Sequence, residues 1–400
     1  MNDTVAMRWA EAHSTHEDPV RAAGEAARTL RERLDDGPLD LLLVFLTAPF
    51  VPAVEAIAAC LRERLGPACL AGASGSAVIT SVTEIETGPA LALLGARLPG
   101  VRVRPFVMTG AAWGEGAMDD PLEFARHTPG AADAKIVFML GDPFTLHADG
   151  VLAAFNRHAP GVPVVGGMAS AGMRPSANVL ILNDWVAHEG GVGIALAGDL
   201  RVDVIVSQGC RPVGPSLTVT RANQNILVEL DGRPALERLE EVLRGLPAAE
   251  REMLKNGLYV GRPARGEASG RGDWLVRNLL GADRKQGLVA VGDVMRDRER
   301  LRLHVRDAAT ATEDLEMLLS PQVFDTPAAG GLMFSCNGRG RGFFGAPDRD
   351  ITTLQQVLGG SVPVAGMRCA GEIGPVGAEN RLHGYTASIA LIRPASPTGR

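Results

Sequence analysis

The densest group of residues that could do chemistry is the run SCNGRGRG, which follows the apolar run GGLMF. A glycine-rich backbone after a strand can present N–H groups to an anion, and arginines can make bidentate contacts with a carboxylate or phosphate. The run therefore predicts a site for a small anionic or zwitterionic ligand, the alternative being an ordinary glycine-rich turn with solvated arginines. The predicted ligand contacts in this run are Ser335, Cys336, Asn337 and Arg339.

A second run, MRCAGEIG, adds Cys369 and Glu372 to the predicted contacts. Both residues come just after a predicted strand, and we expect them near the same face as Cys336. Glu372 could accept a hydrogen bond from a ligand amine, or pair with Arg339 or Arg341. Neither cysteine has a histidine close to it in the sequence, so a pocket-lining role is favoured over a nucleophilic one.

Two further candidates lie in similar loops earlier in the chain. Asp142 follows the apolar run KIVFMLG, and Ser170 lies in the small-residue run GGMASAG. Small residues let a backbone approach a ligand closely, although they equally suit tight packing between neighbouring elements. We predict Asp142 and Ser170 as secondary ligand contacts.

The sequence contains no complete catalytic or metal-binding motif. It has no H-E-x-x-H, G-x-S-x-G, Walker or dinucleotide-binding signature, and its five cysteines include no C-x-x-C pair. The eight histidines show no metal-ligand spacing, and none of them is selected as a haem ligand. We therefore predict a non-enzymatic protein with no metal and no cofactor.

A repeated pattern of strand, loop, helix and strand must position these loops. The clearest copies are Lys135–Gly172 and Gly330–Gly374, which contain the similar words VPVVGGM and VPVAGM, and a weaker copy is Leu39–Ser76. Loops at strand carboxyl ends are where α/β folds bind ligands, so we expect these ends to converge on one pocket. Runs of consecutive strands argue against a pure Rossmann fold and predict a mixed α/β (α+β) chain with mixed sheets.

Periodicity predicts the individual elements. Asp231 is a candidate helix cap, with Pro234 in the first turn of the helix that follows, and RGEASGRGD is a predicted surface loop. Helices are predicted at Val20–Leu34, Val51–Leu65, Ala148–His158 and Ala309–Leu319. Strands are predicted at Leu39–Phe45, Val101–Met108, Lys135–Leu140, Val179–Leu182, Gly191–Leu196, Val202–Val206, Leu217–Ala222, Asn225–Leu230, Tyr259–Pro263, Trp274–Leu279, Gly287–Val291, Arg300–Val305 and Tyr385–Ile392.

Composition excludes several classes of protein. A length of 400 residues indicates two or more domains, and a net charge of -6 without a long basic run argues against nucleic-acid binding. No apolar run is long enough for a transmembrane helix, and the polar start MNDTVAMRWAEAHSTHEDP shows no signal peptide. These features, with widely spaced cysteines, predict a cytoplasmic protein.

Three segments of the sequence resemble the FIST family of bacterial sensory proteins. They are QGCRPVGPSLTVTRANQNILVELDGRPALE, FSCNGRG and VAGMRCAGEIGPVG. The resemblance implies a FIST N-terminal domain at 37–215 and a FIST C-terminal domain at 216–393, between an N-terminal helical segment at 1–36 and a flexible tail at 394–400. The pair Met367 and Arg368 departs from the small residues usual before the family's cysteine.

The resemblance implies a sensory, signal-transducing protein that binds a small polar metabolite, with amino acids the ligands proposed for some members. Because no output domain is evident, a separate partner such as a histidine kinase or a cyclic-nucleotide enzyme would receive the signal. Three alternatives stay open at this point: a haem-binding nitric-oxide sensor like one subgroup of the family, a cysteine-dependent enzyme, and a scaffold without a ligand.

Overall fold

The computed structural model describes residues 6–35, 37–113, 118–264, 274–360 and 362–395. The predicted loop RGEASGRGD and residues 396–400 of the predicted tail lie outside this part of the chain. Within it, no helix is both long and apolar enough to cross a membrane. Contacts divide the chain into a first unit of Met1–Val206, Leu315–Leu382 and Thr386–Arg400, and a second unit of Ser207–Asp314 and His383–Tyr385.

The first unit contains three mixed sheets of six strands each. In spatial order, the first sheet holds β1 (Arg8–Ser14), β6 (Leu91–Arg97), β2 (Leu41–Thr47), β3 (Leu70–Gly75), β10 (Leu180–Leu182) and β11 (Trp185–Ala187). The second sheet holds β7 (Val101–Met108), β12 (Gly191–Gly198), β8 (Ile136–Gly141), β9 (Val164–Met168), β23 (Glu372–Val376) and β24 (Glu379–His383). The third sheet holds β13 (Leu200–Gln208), β25 (Thr386–Pro394), β21 (Gly330–Cys336), β22 (Val364–Cys369), β4 (Val78–Ile79) and β5 (Glu84–Ile85).

The helices connect these strands and those of the second unit. They are α1 (Pro19–Leu34), α2 (Val54–Leu65), α3 (Pro121–His127), α4 (Ala148–His158), α5 (Ala235–Gly245), α6 (Ala248–Met253), α7 (Ala308–Leu319), α8 (Arg341–Phe344) and α9 (Arg349–Leu358). Short 3-10 helices cover Ala48–Ala53, Gly110–Trp113, Leu254–Asn256 and Ser320–Phe324.

The three sheets of the first unit share one topology, so this unit is a threefold repeat. Each sheet is centred on a parallel pair, β2–β3, β8–β9 or β21–β22, flanked by antiparallel strands. The hairpin that follows each pair joins a different sheet: β4–β5 enters the third, β10–β11 the first and β23–β24 the second. The predicted strand, loop, helix and strand copies are therefore confirmed, including the weaker first copy.

One glycine position recurs in all three parallel pairs. Gly72, Gly166 and Gly366 are the register partners of Val44, Met139 and Met333. A Cβ at these glycines would lie 2.0 Å, 1.7 Å and 1.7 Å from the carbonyl oxygen of the respective partner. Because no side chain fits at such a distance, the sequence must place glycine here for the paired strands to adopt this packing.

The inner faces of the three sheets enclose one apolar core. Its members include Phe45 from the first sheet, Phe138 from the second and Phe334 from the third. Each outer face is covered by helices, α1 and α2 on the first sheet, α3 and α4 on the second, α7 and α9 on the third. Residues alternate between the two faces along each strand, so every central strand is buried on both sides.

The second unit is built around one sheet whose strand order closes on itself through an additional β14–β15 pairing. Its core combines strand residues such as Val219 and Leu303 with Leu239 and Val242 of α5. The strands, in spatial order, are β14 (Cys210–Asn223), β20 (Arg300–Arg306), β17 (Leu258–Pro263), β18 (Trp274–Asp283), β19 (Leu288–Val291), β15 (Ile226–Leu230) and β16 (Arg233–Pro234).

The fold class and most predicted elements are confirmed, since strands make up 41% of the chain and helices 28%, and the sheets are mixed. Three details were wrong. The segment predicted to be helical at 1–36 also contains strand β1, Arg8–Ser14, which comes before α1. The helix predicted from Val51 begins at Val54, because a 3-10 helix with Pro52 inside it comes first. Asp231 does not cap α5: it lies in a turn with φ 50°, accepts hydrogen bonds from Thr218 and Arg238, and leaves Pro234 as the residue before the helix.

Replacing Gly366 with alanine should destabilise the first unit strongly. The added Cβ would overlap the Met333 carbonyl, which belongs to a central strand and cannot move alone. We expect the free energy of unfolding to fall by at least about 3 kcal/mol in denaturant titrations. The matched control is Gly360→Ala, where a Cβ meets no atom within 4 Å. Equal stability of the two variants would contradict this account of the repeated glycine.

Candidate functional site

The carboxyl ends of the three parallel pairs converge, as the sequence predicted, and they pack closely there; the pocket expected between them stays a prediction. The Ser170 N–H donates to the carbonyl of Ser74 at the end of β3, and the Met168 N–H donates to the carbonyl of Gly371. Glycines allow this approach: a Cβ on Gly167 would lie 2.2 Å from the Cys369 Sγ, and one on Gly75 would lie 2.8 Å from the Met367 Cβ. The small-residue loops thus serve close packing at this point.

Cys336 and Cys369 are neighbours in the third sheet, at the last position of its parallel pair. Alternation places them on the inner face, because Phe334 and Met367, two residues earlier on each strand, lie in the inner core. Cys369 is fully buried, and burial raises the pKa of its thiol well above the ordinary value. Cys336 is partly exposed, and its Sγ accepts a hydrogen bond from the Gly338 N–H at 3.5 Å.

Glu372 is a fully buried carboxyl group on the inner face of the second sheet. It pairs with Gly167, and the corresponding hairpin positions in the other two repeats are the apolar Leu180 and Val78. A carboxyl group is therefore not needed for the fold at this position. One oxygen accepts from the backbone N–H and the hydroxyl of Thr386, at 3.1 Å and 2.9 Å, whereas Oε1 has no hydrogen-bond partner.

Burial raises the pKa of Glu372 to about 8, even though the hydrogen bonds from Thr386 and the charge of Arg339 oppose the shift. The side chain is therefore protonated and neutral at pH 7. A neutral carboxyl group can donate a hydrogen bond as well as accept one. Ionisation would become favourable if a cation entered the site beside Oε1.

Arg339 is completely buried and forms a bidentate ion pair with Asp350 in the first turn of α9. Its Nε and Nη2 donate to the two carboxylate oxygens at 2.9 Å and 2.7 Å, and the Ser335 hydroxyl donates to Asp350 at 2.8 Å. The Phe344 ring lies 5.4 Å from the guanidinium carbon. The third nitrogen, Nη1, has no hydrogen-bond partner. Both Cys336 and Glu372 are close enough to act electrostatically on Arg339.

A second ionic group occupies the outer face of the third sheet. The Arg368 Nη2 donates to Glu84 at 2.6 Å and to Glu86 at 3.0 Å. The other Glu84 oxygen accepts the N–H groups of Asp350 and Ile351 at the start of α9. Burial and the nearby charge of Asp350 raise the pKa of Glu84. Arg368 stands where the family usually has a small residue. Its guanidinium group therefore points away from the inner face.

The remaining predicted contacts are distributed around the convergence. Exposed Asn337 accepts a hydrogen bond from the Ser76 hydroxyl at 2.7 Å. Ser170 is buried, and its hydroxyl donates to the Arg368 carbonyl. Asp142 is fully buried at the end of β8, where its oxygens accept from Thr145 and Asn178. These last two side chains hold local structure together, and their roles as ligand contacts stay predictions.

The structure brings together Cys336, Arg339, Cys369 and Glu372, which we call the third-repeat site, with Ser335 and Asp350 behind Arg339. Sequence reasoning missed Asp350 as the partner of Arg339, because the two residues lie in different elements and no local pattern connects them. It also missed the acidic partners of Arg368. Alternation along VAGMRC could have shown that Arg368 faces away from Cys369.

A surface depression of about 610 Å³ lies elsewhere in the first unit, along α1. Exposed charged side chains dominate its lining, and two of them, Arg21 and Glu25, form an ion pair with each other. We do not assign the function to it, because its charges face solvent and are screened. Its lining residues are Asp18, Val20, Arg21, Gly24, Glu25, Ala27, Arg28, Arg31 and Arg64.

Comparison with known families agrees with the resemblance of the three sequence segments. The FIST N domain matches residues 40–233, and the FIST C domain matches residues 235–375. The chain belongs to the FIST family. FIST domains are small-ligand-binding sensory domains of signalling proteins. The C-domain match spans most of the second unit and the third repeat; the domain limits predicted at 215 and 216 stay a prediction.

Relatives of the FIST protein extend over nearly the whole chain. An uncharacterized protein of Mycobacterium tuberculosis (strain ATCC 25618 / H37Rv) is 37% identical over 391 residues, which is 96% of this chain and 99% of the relative. An uncharacterized protein of Mycobacterium bovis is 37% identical over 390 residues, or 96% and 98% of the two chains.

Two solved structures of cyanuric acid hydrolases show a weak likeness to the FIST chain. The enzyme from A. caulinodans aligns with 98% of this chain and 100% of its own, at 9% identity and a TM-score of 0.37. The other, described as an innovation by structural concatenation, aligns over the same shares at 12% identity and a TM-score of 0.32. These scores carry no argument about activity.

Glu372 should make the stability of the protein depend on pH. Below its ordinary pKa of 4.5 the group is protonated in both the folded and the unfolded chain, so its contribution is then largest. Between 4.5 and about 8 only the folded chain keeps the proton, so stability falls by about 1.4 kcal/mol per pH unit and the contribution is lost above the folded pKa. Glu372→Gln, a neutral isostere, should remove this fall.

The measurement is the denaturant midpoint between pH 5 and pH 8 for the wild type, Glu372→Gln and Glu63→Gln. Glu63 is an exposed carboxylate of α2, so its variant controls for loss of one negative charge. A midpoint in Glu372→Gln that falls as steeply as in the wild type would show that Glu372 ionises normally.

Replacing Arg368 with methionine should cost about 3–5 kcal/mol, because it leaves the buried Glu84 without its counter-ion. Adding Glu84→Gln should recover part of that loss, since an amide oxygen can still accept the N–H groups of Asp350 and Ile351. Chemical unfolding of both single variants and the double variant measures this coupling. Additive losses would argue against a buried ion pair.

Proposed function

We propose that this FIST protein is a non-enzymatic sensory protein of the cytoplasm that binds a small zwitterionic metabolite, such as an amino acid, and signals to a separate protein. The observation that carries the proposal is a pair of buried, partnerless atoms in the third-repeat site, the Arg339 Nη1 and the Glu372 Oε1. A buried polar group without a partner costs free energy, and a ligand that satisfied both atoms would offset that cost.

The two atoms suit the two ends of an amino acid. The Arg339 Nη1 is a cationic donor for the ligand carboxylate, and its charge persists because Asp350 fixes the other two nitrogens. The Glu372 Oε1 can accept from the ligand ammonium group and would ionise in response. The partly exposed Cys336 and the exposed Asn337 mark the side from which a ligand would enter.

The placement of these groups suggests how occupancy could be reported. Arg339 follows β21 of the third sheet, whereas Glu372 begins β23 of the second sheet. A ligand that contacts both would favour the arrangement of sheets in which the two groups are closest. It can shift that equilibrium only through its differential affinity for the two arrangements. A histidine kinase or cyclic-nucleotide enzyme is the kind of partner we propose to receive the signal.

The buried thiol supports a binding role over catalysis. Cys369 donates to the Met367 carbonyl, and the high pKa of its thiol suppresses the thiolate that a cysteine nucleophile needs. The proposal therefore assigns Cys336 and Cys369 to the wall of the site. Turnover of a bound metabolite by the purified protein would contradict it.

Proton release gives a sharp test of the ligand chemistry. Because Glu372 is neutral in the empty site at pH 7, binding of an ammonium group should expel its proton. Titration calorimetry with amino acids in two buffers of different ionisation enthalpy should detect up to one proton released per ligand. Glu372→Gln should abolish the release and weaken binding by at least about tenfold, the effect of losing one charge-assisted hydrogen bond.

Matched ligands and variants separate the two ends of the site. Arg339→Lys keeps a charge for Asp350 but loses the planar fork, so it should weaken amino acids and the corresponding amine-free acids alike. Arg341→Gln, at an exposed position two residues later, is the control and should bind normally. If no amino acid binds the wild type, or if Arg341→Gln loses binding equally, the zwitterion site is wrong and a scaffold role is favoured.

The buried ring of His304 does not fit the role of a haem ligand. His304 of the second unit has an Nε2 without a hydrogen-bond partner and a pKa lowered by burial to about 4. Its ring, however, packs against Gly261, where a Cβ would lie 2.2 Å away, and against Trp274, with ring centroids 5.2 Å apart. A porphyrin would have to displace both neighbours, so this ring does not fit the role of axial ligand.

We therefore expect the purified protein to show no Soret band, either as isolated or after incubation with haemin and removal of the excess. A stoichiometric Soret band that persists through gel filtration would contradict this expectation and favour the nitric-oxide sensor. Replacing His304 with alanine would then show whether that ring is the ligand.

A further inference from the structure

The register of the third sheet places two cysteines where a disulfide could form. Cys336 and Cys369 are direct partners in the parallel β21–β22 pair. Neighbouring strands lie about 4.8 Å apart, which is inside the span of about 4.4–6.8 Å between the Cα atoms of a disulfide. Both side chains lie on the inner face, so the two Cβ atoms point in the same direction. The structure holds both sulfur atoms as thiols.

The surroundings of the two thiols differ in the way that a reactive and a resolving cysteine differ. Cys336 is partly exposed, accepts a hydrogen bond from the Gly338 N–H, and lies within electrostatic range of the Arg339 cation. These features stabilise a thiolate and give an oxidant access to it. Cys369 is fully buried, and its thiol donates to the Met367 carbonyl.

The fold does not require this pair of thiols. In the first repeat the equivalent register partners are Thr47 and Gly75. In the second repeat the equivalent positions, one residue beyond the Gly141–Met168 pair, are Asp142 and Ala169. Three different residue pairs therefore satisfy the same packing position, and only the third repeat places sulfur at both places.

We propose that Cys336 and Cys369 form a peroxide-sensitive dithiol that closes to a disulfide between β21 and β22. The Cys336 thiolate attacks one oxygen of a hydroperoxide, so that an S–O bond forms and the O–O bond breaks. The products are a sulfenic acid and an alkoxide or hydroxide, which takes up the proton that the Cys336 thiol released; for hydrogen peroxide this gives water. The Cys369 thiol then passes its proton to the departing hydroxyl group as its sulfur attacks the sulfenic acid, so that the S–O bond breaks, the S–S bond forms and a second water leaves without a free Cys369 thiolate. Each cycle oxidises two thiols and reduces one peroxide, and an exogenous dithiol reverses it.

The experiment treats the full-length wild type with hydrogen peroxide, alkylates the remaining thiols after denaturation, and measures intact and peptide masses. We expect three alkylated cysteines instead of five, with a mass loss of two hydrogens. Trypsin cuts after Arg339 and after Arg368, so Cys336 and Cys369 fall in separate peptides whose linkage is diagnostic. Treatment with dithiothreitol should restore five alkylated cysteines.

Single variants test the order of the steps. In Cys369→Ser the sulfenic acid cannot be resolved, so dimedone should label Cys336, whereas Cys336→Ser should give neither the link nor a labelled Cys369. Cys60→Ser, in α2, is the matched control and should behave as the wild type.

The wild-type mass measurement needs no variant to fold. Five alkylated cysteines after peroxide treatment, or a disulfide that maps to another pair, would overturn the proposal. Dimedone labelling of a different cysteine in Cys369→Ser would overturn the assignment of Cys336 as the reactive thiol.

Discussion

The close approach of the three parallel strand pairs at their carboxyl ends is the constraint on which the rest of the structure depends. Backbone groups of one repeat hydrogen-bond to those of the next, as between Ser170 and Ser74, and the neighbouring Gly75 and Gly167 leave the room for this approach. A separate close contact, with the carbonyl of the partner strand in the same pair, requires Gly72, Gly166 and Gly366. The repeated small residues therefore serve packing. The polar side chains of the third-repeat site lie at positions that this packing does not restrict to small residues.

The third repeat shares this packing but carries polar and sulfur-containing side chains at positions where the other two repeats differ. At positions where the other repeats place Leu180 and Val78, the third places Glu372, and its parallel pair ends in two cysteines. Burying a carboxyl group costs free energy, and the cost is reduced here by protonation and by hydrogen bonds from Thr386. The buried Arg339, paired with Asp350, is close enough to Glu372 to act on it electrostatically.

Sequence patterns predicted the parts of this arrangement that are local. The spacing of apolar residues and the repeated sequence segments predicted the three copies and the convergence of their strand ends. They also predicted the helix at Ala148–His158 and the grouping of Cys336 with Cys369. The exchange of hairpins between sheets could not be predicted, because β4 and β22 are far apart in the chain and their pairing leaves no local signature. For the same reason Glu84 went unrecognised as the partner of Arg368.

The cyclic exchange of hairpins has a consequence for how the chain reaches its native state. The first repeat cannot complete its own sheet until β10 and β11 have been synthesised, and the second waits for β23 and β24, which come after the long segment Ser207–Asp314 of the second unit. In such long-range pairing the entropy of loop closure is lost before the stabilising contacts form, which slows folding. A nascent chain released before the third repeat would expose open sheet edges, the feature that makes intermediates aggregate.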